Sequence, residues 1–222
     1  MQVNRWSPPR LRWQFLGGLS LVTMVVGGSA LAQQAPKSAA DYWPFREGNT
    51  WTMAVTVGEK KMTQVITVTK VTTKDGKTRA ELDYKTDGRL AQREIYEVDA
   101  SSLSRVAAGP NGANQLTPPV PVVQVPMTAG KKWNWKGEVA FGGQTFQASA
   151  QLSVSGPETV KTDAGSFPAM RVRMDLDVAS GEQHIKVLND YWFAPKVGLI
   201  QQKATVGGQV IEGVMSSYKL TK

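Results

Sequence analysis

The chain is 222 residues long, has no cysteine and a single histidine, and carries 26 basic against 18 acidic side chains, a formal charge of +8. No disulfide can brace it, no thiol can act as a nucleophile, and no metal site built on two imidazoles can form. Arg5, Arg10 and Arg12 lie in the first 32 positions, where there is no acid, so without that segment 26 becomes 23 against 18 and the charge falls to +5, a mild and scattered excess that does not suit nucleic acid.

Residues 1–32 read as a secretory signal. Basic residues come first, an apolar stretch runs from Phe15 to Val26, and Ala30-Leu31-Ala32 supplies a small-residue cleavage site. The stretch falls short of the roughly 20 apolar residues that span a bilayer, so the mature chain, beginning near Gln33, is expected to be exported without stable membrane insertion. With no cysteine to accept a lipid, the expectation is a soluble periplasmic or secreted protein, not a lipoprotein. Residues 33–40 (QQAPKSAA) suit a disordered leader. Residues 41–222 form a single β domain, long enough to bury roughly 70% of the surface its unfolded chain exposes.

The domain opens on Pro44-Phe45-Arg46-Glu47-Gly48-Asn49-Thr50-Trp51, and the spacing Pro-x3-Gly-x2-Trp returns 82 positions later at Pro126, Gly130 and Trp133. A proline that halts one element, a glycine free to take positive φ and a tryptophan that anchors the next strand predict the same corner twice. Beyond Trp51 the period is two: Trp51, Met53, Val55 and Val57 oppose Thr52, Ala54 and Thr56. Ala80, Leu82 and Tyr84 oppose Arg79, Glu81, Asp83 and Lys85. Met170, Val172, Met174, Leu176 and Val178 oppose Arg171, Arg173, Asp175 and Asp177. Asp75-Gly76, Asp87-Gly88, Gly142-Gly143, Gly181 and Gly207-Gly208 mark hairpin turns.

Between Ala107 and Pro126 the prolines and glycines predict extended, unpaired chain bridging two repeats, 41–121 and 122–222. Tyr96 with Leu103 in the first repeat answers Tyr191 with Leu199 in the second. The predicted fold is all-β: a strongly curved antiparallel meander or incompletely closed β-barrel of about eleven strands, with a concave apolar side.

Three phrases carry a resemblance to a known family: Tyr42-Trp43-Pro44-Phe45-Arg46-Glu47-Gly48-Asn49-Thr50-Trp51, Asp163-Ala164-Gly165-Ser166-Phe167-Pro168-Ala169, and Tyr191-Trp192-Phe193-Ala194-Pro195-Lys196-Val197-Gly198-Leu199. They are similar to the phrases YxPlxxGxxWxY, paGtF and WyapxVGLv of an uncharacterised family of exported bacterial all-β envelope proteins, a domain of unknown function. The resemblance covers most of the mature chain and departs at Met53, where the family pattern has an aromatic. It implies an envelope location and an all-β fold, and it brings no catalytic residue with it.

The residues offer little chemistry. His184, on a strand between Gln183 and Ile185, reads as a surface histidine. The pairs Asp175 with Asp177 and Glu81 with Asp83 share faces with arginine or lysine, the composition of a solvated sheet surface. No catalytic residue, metal ligand or cofactor site is expected. The aromatic clusters are the functional candidates, and Tyr42, Trp43, Trp133, Trp135, Tyr191 and Trp192 are the expected ligand-binding residues. Two faces of a strand cannot both meet one core, so in each of the triplets Tyr42, Trp43, Phe45 and Tyr191, Trp192, Phe193 at least one ring should look away from it unless a corner or loop covers it.

The expected function is a non-enzymatic envelope protein holding a lipid or other apolar or amphipathic ligand on the concave face. The alternatives are a structural or protein-interaction module with an envelope partner, and a glycan-binding protein. A polar-mouthed apolar cavity favours the carrier, and a solid interior favours the scaffold.

Overall fold

The computed structural model describes residues 36–221, so the signal reading of 1–32 lies outside the described residues. Twelve antiparallel strands follow one another around a closed barrel: β1 (Thr50–Val57), β2 (Lys60–Lys74), β3 (Lys77–Thr86), β4 (Arg89–Val98), β5 (Ser102–Ala108), β6 (Asn114–Gln124), β7 (Lys132–Phe141), β8 (Gln144–Thr162), β9 (Gly165–Ser180), β10 (Gln183–Ala194), β11 (Gly198–Val206) and β12 (Gln209–Lys219). The antiparallel meander is as expected. The count is twelve, not eleven, and the barrel is complete. Closure comes from β12 returning to pair with β1, from Thr50 opposite Lys219 to Val57 opposite Ile211, which leaves no free edge.

Alternation sets the core. Ala80, Leu82 and Tyr84 on β3 and Met170, Val172 and Met174 on β9 are buried inside the barrel, while Arg171 and Arg173 stay partly exposed outside. The six strands β1–β6 are followed by six more, β7–β12. Tyr96 on β4 and Tyr191 on β10 are both buried, as are Leu103 on β5 and Leu199 on β11. The repeat boundary drawn at 121 falls inside β6.

The two corners share one backbone. Gly48 and Gly130 have φ of 83° and 85°. Gly48 N–H donates to the Val68 carbonyl and Gly130 N–H to that of Val154, each at 2.9 Å, and Val68 and Val154 return the bond to Asn49 and Lys131. The tryptophans that follow fare differently. Trp51 is wholly buried and donates to the Val197 carbonyl at 2.7 Å, whereas Trp133 is half-buried and donates to Pro121 at 2.8 Å.

Trp133 sits on a seam. The stretch expected to be unpaired is largely β6, which pairs with β5 along most of its length but with β7 only at Leu116–Val139 and Thr117–Glu138. Pro118, Pro119 and Pro121 have no N–H to give a ladder. Side chains take over. Trp135 Nε1 donates to the Pro118 carbonyl at 2.9 Å, Trp133 does so to Pro121, and Lys131 Nζ reaches the carbonyls of Gln124 and Pro126 at 3.1 and 3.2 Å. A Cβ on Gly137 would stand 2.3 Å from the Thr117 carbonyl oxygen, so only glycine lets β7 come this close.

The barrel's two ends differ. Turns after odd-numbered strands lie at one end; turns after even-numbered strands lie at the other, with the segment before β1. That segment crosses the opening: Ala39 N–H donates to Ala100 in the β4–β5 turn, and Asp41 accepts from Lys196 in the β10–β11 turn, six strands away around the ring. The leader expected to be disordered over 33–40 is therefore ordered at its end. Ser38 caps a 3-10 turn at Ala39–Asp41, and Ala39 is buried because a small side chain fits beneath the crossing.

Candidate functional site

The six aromatic candidates do not converge. Tyr42 and Trp43 plug the crossed end, both buried; the Trp43 ring packs on Phe45, Trp51, Tyr96 and Phe193 with centroids 5.2–6.0 Å apart. Trp133 and Trp135 fasten the seam. Tyr191 faces inward, and Trp192, one residue on, faces outward. There its Nε1 donates to Glu158 Oε1 at 2.6 Å beneath the Arg171 guanidinium, 5.9 Å from the ring centroid. This is the ring that had to turn away from the core, and Arg171 and Glu158 cover it. Five of the six rings are buried and the half-buried Trp133 is hydrogen-bonded, although Trp43 Nε1 finds no partner among the described residues.

Sequence reasoning missed a polar cluster at mid-barrel. Glu94 is buried and accepts hydrogen bonds from the hydroxyls of Tyr84, at 2.9 Å, and Tyr96, and from Gln92 at 3.2 Å. Arg105 Nη1 lies 3.7 Å from its carboxylate. Burial, and then the Glu94 charge, push the phenols of Tyr84 and Tyr96 well above the ordinary tyrosine range. Burial also raises Tyr191, against the opposing pull of Arg105. Burial works against the Arg105 charge, but Tyr191 and Glu94 outweigh it and the guanidinium is held charged. Tyr191 Oη and Arg105 Nε have no hydrogen-bond partner among the described residues.

From this cluster toward the uncrossed end the interior opens. A cavity of about 260 Å³ lies within the arc from β11 through β12 and β1 to β4, with Tyr84, Gln64, Gln92 and Gln202 as its polar lining and Met53, Ile66 and Ile211 among its apolar lining. Around the mouth, side chains that strand parity turns inward are left uncovered. Phe141 lies two residues beyond the partly buried Val139, Ile185 opposes Val178, and Val206 and Ile211 continue the inward faces of Ala204 and Gly213. They are 62%, 50%, 39% and 39% exposed. Leu90 and Val210 add exposed apolar surface at the same end. Inward apolar groups normally contribute to a core, so leaving four of them in water calls for an explanation.

The outer wall shows ordinary ion pairing. His184 Nδ1 lies 2.7 Å from Asp177, and Arg173 forks onto Asp190 at 2.9 and 3.0 Å. Among the described residues no three of histidine, cysteine, aspartate and glutamate gather to hold a metal, and no helix is long and apolar enough to cross a membrane.

Residues 147–211, from β8 into β12, match the DUF3108-like family. Among solved structures, a presumed exported protein with a YmcC-like fold from Bacteroides fragilis aligns over 80% of this chain and 98% of its own, with a TM-score of 0.58 at 15% identity. A presumed lipoprotein from Parabacteroides distasonis aligns over the same shares, with a TM-score of 0.52 at 14% identity. At these identities the likeness is one of fold. No curated protein matches. The resemblance to an uncharacterised family of exported bacterial β-proteins, read from three short phrases, therefore stands; the neighbours are named as exported or as lipoproteins, and this sequence has no cysteine.

Proposed function

We propose that this protein is a non-enzymatic envelope protein that takes an apolar or amphipathic ligand through the uncrossed end of its barrel. One observation carries the reading: Phe141, Ile185, Val206 and Ile211 face inward and stand in water at the uncrossed end, Ile211 also lining the cavity, while at the other end, Tyr218 apart, the large apolar side chains are covered by the chain's own aromatics. Covering each of these side chains would gain about 1.5–3 kcal/mol, a gain available to a ligand. The only histidine is out on the wall, and Glu94, the acid behind the cavity's Tyr84, is occupied by two tyrosines, a glutamine and an arginine, an arrangement suited to holding shape rather than moving protons.

The ligand site thus lies at the mouth, away from the six rings expected from the sequence. Protein purified from its native compartment should release a bound amphiphile on solvent extraction, read by mass spectrometry. The emptied protein should bind N-phenyl-1-naphthylamine saturably, with a rise in its emission. Ala204→Trp, which fills the cavity from β11, should weaken that binding about tenfold or more while the circular dichroism spectrum is unchanged. An empty extract together with no saturable binding would overturn the reading.

A further inference from the structure

The lining of the cavity says which end of the ligand goes in. Apolar groups are exposed at the mouth, whereas the cavity lining includes three amides and a phenol beside Met53, Val55, Ile66 and Ile211, and the Tyr84 phenol is backed by a buried ion pair. The hydrogen-bonding groups thus lie inside the cavity and not among the exposed side chains of the mouth, the reverse of a pocket built for the tip of a hydrocarbon chain. We infer that the ligand enters polar end first and that this end is uncharged: a hydroxyl, ester or amide group on an aliphatic chain, the chain lying out along the mouth. The inference rests on the reading of the mouth given above and adds to it the chemistry of the guest.

Three observations support this. First, no ionised side chain lines the cavity. Its polar members are Gln64, Gln92, Gln202 and Tyr84, and burial and Glu94 keep the Tyr84 phenol protonated. The buried charges behind the Tyr84 phenol, Glu94 and Arg105, face each other 3.7 Å apart, so a carboxylate, phosphate or ammonium entering here would lose its water without meeting a free counter-charge in the lining. Second, the amides have capacity to spare. Gln64 gives one N–H to Thr86 at 3.3 Å and Gln92 gives one to Glu94, leaving both carbonyl oxygens and the second N–H of each, while Gln202 has no hydrogen bond to another described side chain. Such a set both donates and accepts, which matches a neutral head that does both. Third, the cavity is small. Its 260 Å³ is about nine times the ~30 Å³ share of a liquid water and lies below the ~300–1,000 Å³ of pockets that enclose whole ligands. It holds a head and the first carbons of a chain, and the rest of the chain is left to Phe141, Ile185, Val206 and Ile211.

The test holds the chain constant and changes the head. Octan-1-ol, octanamide, octanoate, octylammonium and octane are titrated at pH 7.5 against bound N-phenyl-1-naphthylamine. Octanol and octanamide should displace the probe at concentrations about tenfold or more below those needed for either ion, a gap set by burying an unpaired charge. Gln202→Leu and Gln64→Leu should each weaken octanamide roughly two- to tenfold, the worth of one hydrogen bond, and leave octane unchanged or improved. Octanoate or octylammonium equal to or better than octanol would overturn the inference, as would octane ranking first, which would mean that the tail goes in. A flat or reversed ranking with the probe still bound defeats this inference alone, whereas a protein that never binds the probe defeats the reading of the mouth as well.

Discussion

The two ends of this barrel start from the same supply of inward apolar side chains and treat them in opposite ways. At one end residues 39–45 bridge opposite sides of the ring and bury Trp43 among four other rings. At the other no described segment crosses, and Phe141 stands 62% exposed. Period-two alternation does not know where a barrel ends; it supplies apolar groups along the full length of every strand, and a separate segment must cover them. Where that segment exists the end is structural. Where it is missing, the exposed groups are the place to look for a guest.

The largest effect that would break this contrast is at the plug. Trp51→Ala, which removes a fully buried ring and its bond to Val197, should cost about 3–5 kcal/mol in urea unfolding. Trp133→Ala, at the half-buried counterpart, should cost at most about half as much; equal losses would mean that the duplicated corners bury their rings alike after all. A middle-sized effect is expected of the tyrosines between the two ends. Folding raises the pKa of Tyr84, Tyr96 and Tyr191, so their contribution is fully present below the unfolded value of ~10. Above it, the unfolded chain ionises first and stability falls by up to about 1.4 kcal/mol per pH unit for each, until the folded values are reached. Urea midpoints should hold between pH 7 and 9 and drop above 10, and phenolate absorbance should lag until the protein unfolds. Full titration of all five tyrosines near pH 10 in the folded state would contradict the buried cluster. The smallest effect is at the open end: Phe141→Ser should change stability by no more than about 0.5 kcal/mol, while weakening the naphthylamine probe severalfold. A large loss of stability there would make Phe141 core, not mouth.

What could be read in the sequence was whatever repeats over short distances. Alternation placed Leu82 and Val172 inside, and Pro-x3-Gly-x2-Trp placed two glycines at positive φ. Closure could not be read, because the pairing of Thr50 with Lys219 joins strands at opposite ends of the domain and neither strand's pattern names the other. β6 was hidden by Pro118, Pro119 and Pro121, which look like the absence of a strand and instead mark the side of one that pairs poorly. The candidate site was legible only in kind. The aromatics drew attention, but a ring conspicuous in sequence is also the ring that best fills a core. Glu94 and Gln92 look like surface residues in the run Gln92-Arg93-Glu94; the signal that could have found them is parity, since both share the face of buried Tyr96.

The ring closes at two joints, and they are built on different principles. β12 and β1 are far apart along the chain and meet along the whole of β1 through a ladder broken only by a bulge between Thr52 and Met53. β6 and β7 adjoin in the chain, are tethered by residues 125–131, and share a ladder at only two positions before indoles and a lysine take over. A tether makes the encounter nearly free of entropy, so the bonds there need only aim the strands and not recruit them. The prolines of β6 are therefore tolerated at this joint, where the tether and the side-chain bonds stand in for the missing ladder.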